Sequence, residues 1–303
     1  MTPTRREFLT QSGLAVAGTA MLSHTSSAAS AAPGNAVAVP GNIPLGFQAF
    51  EIVPDLNKDW EGTLKQMVSM GYKLIDMVAM NPYNLRTSKA LKAEFTRVGL
   101  DCNVCHWGYA AWNTSFGPTM DYSNGLGVKH VICGPKPQMK TSDDWKSMAA
   151  DLNRFGAMAK KEGLTIAYHN HEIEFVKTAQ GDIPWDLLMT NTDPAIVRFQ
   201  IDVGNLTFGG GDAVEHLRKY NNRYFSFHAK DFVRGKAAVP VGAGTLDWKT
   251  IFQLAQQAKV ESCIAEVGAY GANTLDGAPL EKAELTILES YRRSAEWLRA
   301  YKG

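Results

Sequence analysis

From Ile43 onward, short apolar runs alternate eight times with segments whose apolar residues recur at helical spacing. The runs are Ile43–Val53, Tyr72–Val78, Leu100–His106, Lys129–Cys133, Leu164–Phe175, Val197–Asp202, Tyr224–Asp231 and Ser262–Val267. Between and after them come Trp60–Met70, Ser88–Val98 with Ser88 as N-cap, a loop and short helix reaching Gly127, and Ser142–Lys161 closed by Gly163. Trp185–Met189, Ala213–Tyr220, Trp248–Ala258 and Glu281–Tyr301 follow. Strand patterns that alternate with helical ones imply parallel βαβ units. Eight units in about 260 residues predict an α/β chain folded as one (β/α)8 TIM barrel. An open doubly wound sheet would want a Gly-rich phosphate turn after its first strand, and GFQAFE at 46–51 is not one.

The residues before the barrel read differently. Thr4-Arg5-Arg6-Glu7-Phe8-Leu9 has the form of a twin-arginine export signal, Gly13–Leu22 is a short apolar run, and Ala29-Ser30-Ala31 is a small-residue cleavage site. The apolar run is too short to span a bilayer stably. The expectation is a signal peptide at 1–31, a flexible linker at 32–42 and the barrel at 43–303, with the mature protein periplasmic or otherwise extracytoplasmic.

Lys and Arg total 31 against 30 Asp and Glu, so no basic surface points to nucleic acid or to an anionic membrane. A small polar ligand fits better than a polyanion, and a homo-oligomer is left open. Cys102 and Cys105 form a lone C-x-x-C with no second pair for a zinc ribbon, so unpaired thiols are expected.

TIM barrels carry function at the C-terminal ends of their strands. Here those ends bear His106, His169 and His171, Asp202, His228 and Glu266, each after several apolar residues. Buried carboxylates and imidazoles need partners, and converging at one mouth they could share a divalent cation. Two imidazoles with two carboxylates suit Mn, Co, Zn or Fe better than Ca or Mg.

YHNHEIEF at 168–175, DVGN at 202–205, HAKD at 228–231 and AEVG at 265–268 resemble the xylose-isomerase-like TIM barrels of the sugar phosphate isomerase/epimerase superfamily. The resemblance runs from about Ile43 to Tyr301 and keeps the family order of motifs. It implies a metal held by a carboxylate on strand five, Asp202, His228 and Glu266. On strand five this chain departs, with His169 where Glu is usual. Either His169 is the ligand or Glu172 reaches back. His169 is favoured, because strand geometry points it and His171 to one side.

The resemblance implies an isomerase or epimerase that removes a proton next to the carbonyl of a sugar or keto-sugar, by way of an enediolate. Glu266, His171, Glu172 and Lys230 are the candidate proton carriers and charge stabilisers. The departure at His169 opens an alternative, β-elimination from a 3-keto-glycoside. His106, Trp107 and Lys230 are candidate substrate contacts, with the Trp107 indole stacking on a sugar face. Lys230 has a second reading as an ion pair with a carboxylate such as Asp231. Tyr109, Trp112 and Phe116 could wall the pocket, Glu51 could line it, and Asn205 could orient Asp202. The Gly-rich 241–247 stretch (VGAGTLD) reads as a loop whose Asp247 caps the next helix, with a phosphate cradle as the weaker reading.

Two other classes remain. The endonuclease IV relatives share this barrel, but seven His in all and a near-zero net charge argue against DNA repair. A periplasmic sugar-binding module would not need four metal-competent strand tips.

Overall fold

The computed structural model describes residues 38–302. The export signal read in the sequence lies outside them. So does part of the expected linker. Its last residues are not free: Ala38 and Val39 pair antiparallel with Pro44 and Ile43 across a turn in which Gly41 and Asn42 have positive φ.

Eight parallel strands follow: β1 Ile43–Gln48, β2 Leu74–Val78, β3 Asp101–Trp107, β4 His130–Cys133, β5 Thr165–His169, β6 Val197–Asp202, β7 Tyr224–Ala229 and β8 Ser262–Ala265. Neighbours in sequence are neighbours in the sheet, and β1 pairs with β8 through Leu45–Cys263 and Phe47–Ala265. The eight parallel strands therefore close into a barrel. The helices outside it are α1 Trp60–Ser69, α2 Ser88–Val98, α3 Phe116–Leu126, α4 Ser142–Lys161, α5 Pro184–Asn191, α6 Ala213–Lys219, α7 Trp248–Gln257 and α8 Ile287–Ala300. The fold is the single-domain TIM barrel expected from the alternation.

Side chains from β3, β4, β5 and β7 (Val104, Ile132, Ala167 and Phe225) meet inside the barrel as a separate apolar plug. A larger apolar layer lies between strands and helices. Below the mouth the plug gives way to polar groups. Gln200 donates to Asp76 at 2.7 Å and to Ser226 at 3.3 Å, and Ser262 donates to Ser226 at 2.8 Å.

Boundaries shift for local reasons. Thr87, not Ser88, caps α2, and Thr141 caps α4 in a reciprocal box with Asp144. The last helix begins at Ile287 behind its Thr286 cap rather than at Glu281. β5 stops at His169, and the rest of the predicted run becomes a turn and a 3₁₀ segment, Ile173–Phe175. Short helices absent from the sequence reading occur at the mouth, including Val203–Phe208, which Asp202 itself caps. The connections after β7 and β8 are long and carry no helix before α7 and α8. They bond to each other: Ala237 N–H donates to Glu281 at 2.8 Å, Glu281 N–H to Gly235 at 2.8 Å, and Tyr270 N–H to Ala237 at 2.9 Å. Among the described residues no helix is long and apolar enough to cross a membrane.

Candidate active site

The strand ends at the C-terminal mouth hold a buried polar cluster. His169 ends β5, Asp202 ends β6, His228 lies one residue before the end of β7, and Glu266 follows β8. All four are buried, and each offers a ligand atom within 4.8 Å of the others. The rings of His169 and His228 are 4.4 Å apart, and His228 Nδ1 is 2.7 Å from Glu266 Oε2. Glu172 stands outside this group, half-buried in the turn after β5.

Neighbouring side chains fix these groups. Asp202 Oδ1 accepts the N–H groups of Gly204 and Asn205 at 2.9 and 2.8 Å. Asn205 Nδ2 donates to Asp202 Oδ2 at 2.7 Å, the orienting contact expected of it. Asn170 holds the same strand end from the other side. Its Oδ1 accepts Asp202 N–H at 2.8 Å, and its Nδ2 donates to Asp202 O at 3.0 Å. Lys230 Nζ donates to Asn205 Oδ1 and to Glu266 Oε1, both at 3.0 Å, and lies over the Tyr270 ring. Its ion pair is therefore with Glu266. Asp231 instead accepts the N–H groups of Gly242 and Gly244 and the Trp248 indole N–H.

The VGAGTLD loop thus spends its amide donors on an internal carboxylate, and Asp247 caps α7 by accepting Thr250 N–H at 3.1 Å. The phosphate-cradle reading loses the glycine amides it would rest on, since both donate to Asp231.

One residue of the cluster escaped the sequence reading. Asp76 on β2 is fully buried; its Oδ2 is 2.9 Å from His228 Nε2 and its Oδ1 is 2.7 Å from His106 Nε2. With His106 and His228 it forms a second ligand-competent group that shares His228. The run Leu74–Val78 shows only one acid among apolar residues, and nothing local marks it as functional.

Charge follows from the surroundings. Burial would raise Asp76, but His106 and His228 outweigh it and hold the carboxyl well below its usual range. Burial pushes the His169 ring well below its usual value, helped by His228, His171 and His106, so it is neutral. Burial and then the Glu266 charge push Asp202 up to about 7. Burial would lower His228, but Asp76 and Glu266 outweigh it and raise the ring to about 9.

Both ring nitrogens of His169 are buried with no hydrogen-bond partner. Such orphaned groups cost about 1–3 kcal/mol each. A neutral imidazole with an unused lone pair beside two carboxylates and a second imidazole is the donor set of a divalent transition metal. The residues present fit such an ion, which His169, Asp202, His228 and Glu266 would hold.

The expected substrate contacts divide. His106 is inside, its ring 5.4 Å from that of His169. Trp107, one residue on, points to the opposite face of β3. Its indole N–H donates to Ser123 Oγ at 3.1 Å and its ring meets Tyr122 edge-on, so it packs under α3 rather than facing the mouth. Trp112 and Tyr109 pack on Phe155 of α4, and Tyr109 Oη donates to Asp151. The aromatic loop therefore serves the outer layer. Glu51 is buried against the end of β8, where a Cβ on Gly268 would fall 2.2 Å from its Oε1. His171 is half-buried, with its ring 5.2 Å from that of His169. The four cysteines are unpaired.

Comparison with known proteins fits this architecture. An inosose dehydratase of Clostridium perfringens is 28% identical over 256 residues, covering 70% of this chain and 85% of that protein. The crystal structure of a sugar phosphate isomerase/epimerase from Parabacteroides distasonis superposes with a TM-score of 0.72 at 23% identity, covering 84% of this chain and 93% of the other. The IolI protein, solved with a bound zinc atom, superposes with a TM-score of 0.58 at 18% identity, covering 84% and 95%. These two structural likenesses are of fold. A model of the xylose isomerase-like TIM barrel family matches residues 45–301. With that match over most of its length, the chain belongs to the xylose isomerase-like TIM barrel family.

Proposed function

We propose that the chain is a divalent-metal-dependent enzyme that removes the proton next to the carbonyl of a sugar or cyclic keto-polyol and then expels an oxygen substituent from the β carbon. The carrying observation is a buried ammonium beside a buried ligand cluster: Lys230 Nζ stands 3.0 Å from Glu266 Oε1. A bound divalent ion would act as a Lewis acid on the carbonyl oxygen. Lys230 adds a fixed positive charge where the enolate oxygen develops. Glu266, ion-paired with Lys230 at 3.0 Å, accepts the proton from carbon. The C–O bond at the β carbon breaks as the C=C bond forms, and His171 serves as the acid that protonates the departing oxygen.

Elimination is favoured over epimerisation by the strand-five residue. Epimerisation needs a second base on the opposite face, and His169 has no basic nitrogen free once it holds the ion. The relatives named inosose dehydratase support the same direction. Epimerisation stays as the second reading because His171 could return the proton to carbon instead. Incubation with cyclic keto-polyols and 3-keto-glycosides in deuterated water, read by mass, separates the two. Loss of water or aglycone supports elimination, whereas deuterium without loss supports epimerisation. Neither, in metal-replete protein that still binds the sugar, would sink both in favour of a binding module. Export through the twin-arginine route is proposed from Arg5-Arg6 and is tested by fusing residues 1–31 to a reporter.

A further inference from the structure

We propose that Glu174 is a positioning residue, a buried clamp that fixes where the His171 imidazole stands beside the ligand cluster. The proposal rests on the reading above that His171 handles a proton of the substrate.

β5 ends at His169, and the chain must leave the barrel wall there without losing register. Asn170 covers the exit, its side-chain amide pairing with both the N–H and the C=O of Asp202 as a further ladder residue would. Glu174 then folds back under the turn. It is fully buried; its Oε1 accepts the Tyr168 hydroxyl at 2.6 Å and its Oε2 accepts His171 N–H at 2.9 Å. Phe175 anchors the far side of the turn against Trp185 and His216, at ring distances of 5.4 and 5.1 Å. The turn also presses on Gly209, where a Cβ would fall 2.3 Å from Glu172 O. His171 is thus held by Glu174 at its N–H and by Asn170, whose Nδ2 donates to its C=O at 3.3 Å, within a turn that Phe175 anchors.

Two donors, a phenol and a backbone amide, converge on this point, and only a carboxylate offers each its own acceptor oxygen. A glutamine keeps one acceptor, turns its NH₂ toward Tyr168, and still takes the His171 amide. Alanine leaves both donors bare. The clamp bonds Tyr168 and the His171 amide and none of the ligand atoms, so its effect on the chemistry passes through the placement of His171.

The test compares wild type with Glu174→Ala, Glu174→Gln and Tyr168→Phe. Three readouts are needed: hydrogen exchange at the His171 amide, bound metal, and kcat and KM against pH on the best keto substrate. In Glu174→Ala the His171 amide should exchange at least about 10-fold faster, as local opening no longer breaks a buried bond. Metal content should hold, KM should stay within about threefold, and kcat should fall about 10- to 100-fold with an altered pH profile. Glu174→Gln should restore amide protection and most of kcat. If Glu174→Ala does not fold, Tyr168→Phe removes a single oxygen and makes the same comparison in milder form. Unchanged amide exchange, or faster exchange with unchanged kcat, overturns the clamp. Loss of metal in step with kcat also overturns it, because the residue would then serve the ligand set. If wild type turns over no keto sugar, the functional reading fails by itself, and the clamp is then judged by amide exchange and by the His171 ring signals in cobalt-loaded protein. Ring signals that do not move between wild type and Glu174→Ala reject it.

Discussion

At the scale of single residues, two buried carboxylates outside the ligand set carry definite expectations. Asp76 meets His106 and His228 at once, so Asp76→Asn removes the charge that orients both rings. Partners of this kind are worth about 10- to 100-fold in metal affinity, and chelator competition should show a loss of that size without loss of fold. An unchanged affinity would mean that His228 needs no second partner. Glu174 gives a pH signature. Burial pushes its carboxyl up to about 7 from an ordinary 4.5, so folding favours the protonated form. The folded state is relatively most stable below the unfolded value and loses that advantage as pH rises toward about 7. Glu174→Gln has no such loss. Its unfolding free energy relative to wild type should therefore climb by roughly 1–3 kcal/mol between pH 5 and pH 8, in urea titrations at each pH. A difference flat with pH would show that the carboxyl is not buried as described.

At the scale of elements, strand and helix identity were legible wherever burial was uniform. Val197–Asp202, Ser88–Val98 and Ser142–Lys161 have the limits that the sequence pattern gives them. The pattern failed where side chains replace backbone pairing. β5 looked continuous to Phe175, yet the strand stops at His169, and Glu174 and Phe175, neighbours that a strand would send to opposite faces, are both buried from a turn that follows Asn170. It failed again after Asp202, which reads as a strand end and is also the cap of a helix. That helix start is tight. A Cβ on Gly204 would lie 2.5 Å from Lys230 O and 2.5 Å from Tyr270 Oη. Backbone on one side leaves little room to yield. Gly204→Ala should cost about 1–3 kcal/mol in chemical denaturation and disturb both Asp202 and Lys230. A neutral substitution would mean that β6 and β7 part more easily than their contact suggests.

At the scale of the whole molecule, the barrel brings together groups far apart in the chain. Asp76 and His228 are separated by 152 positions. No local pattern carries such a contact, which is why the polar strand ends could be named from sequence and Asp76, in the middle of β2, could not. A site assembled this way binds its ion only when the barrel is closed. Mn, Co or Zn at about a hundredfold over its dissociation constant should therefore stabilise the fold by about 2.7 kcal/mol. The melting temperature should rise by about 5–10 °C and return with chelator. No rise with any of the three would speak against the ion. The long connections after β7 and β8 share backbone bonds through Gly235, Ala237, Tyr270 and Glu281. For anyone recombining this scaffold with another barrel, they form a single cassette. Transplanting one segment alone would strand its neighbour's amides at the rim, whereas moving both together carries the whole seam into its new host.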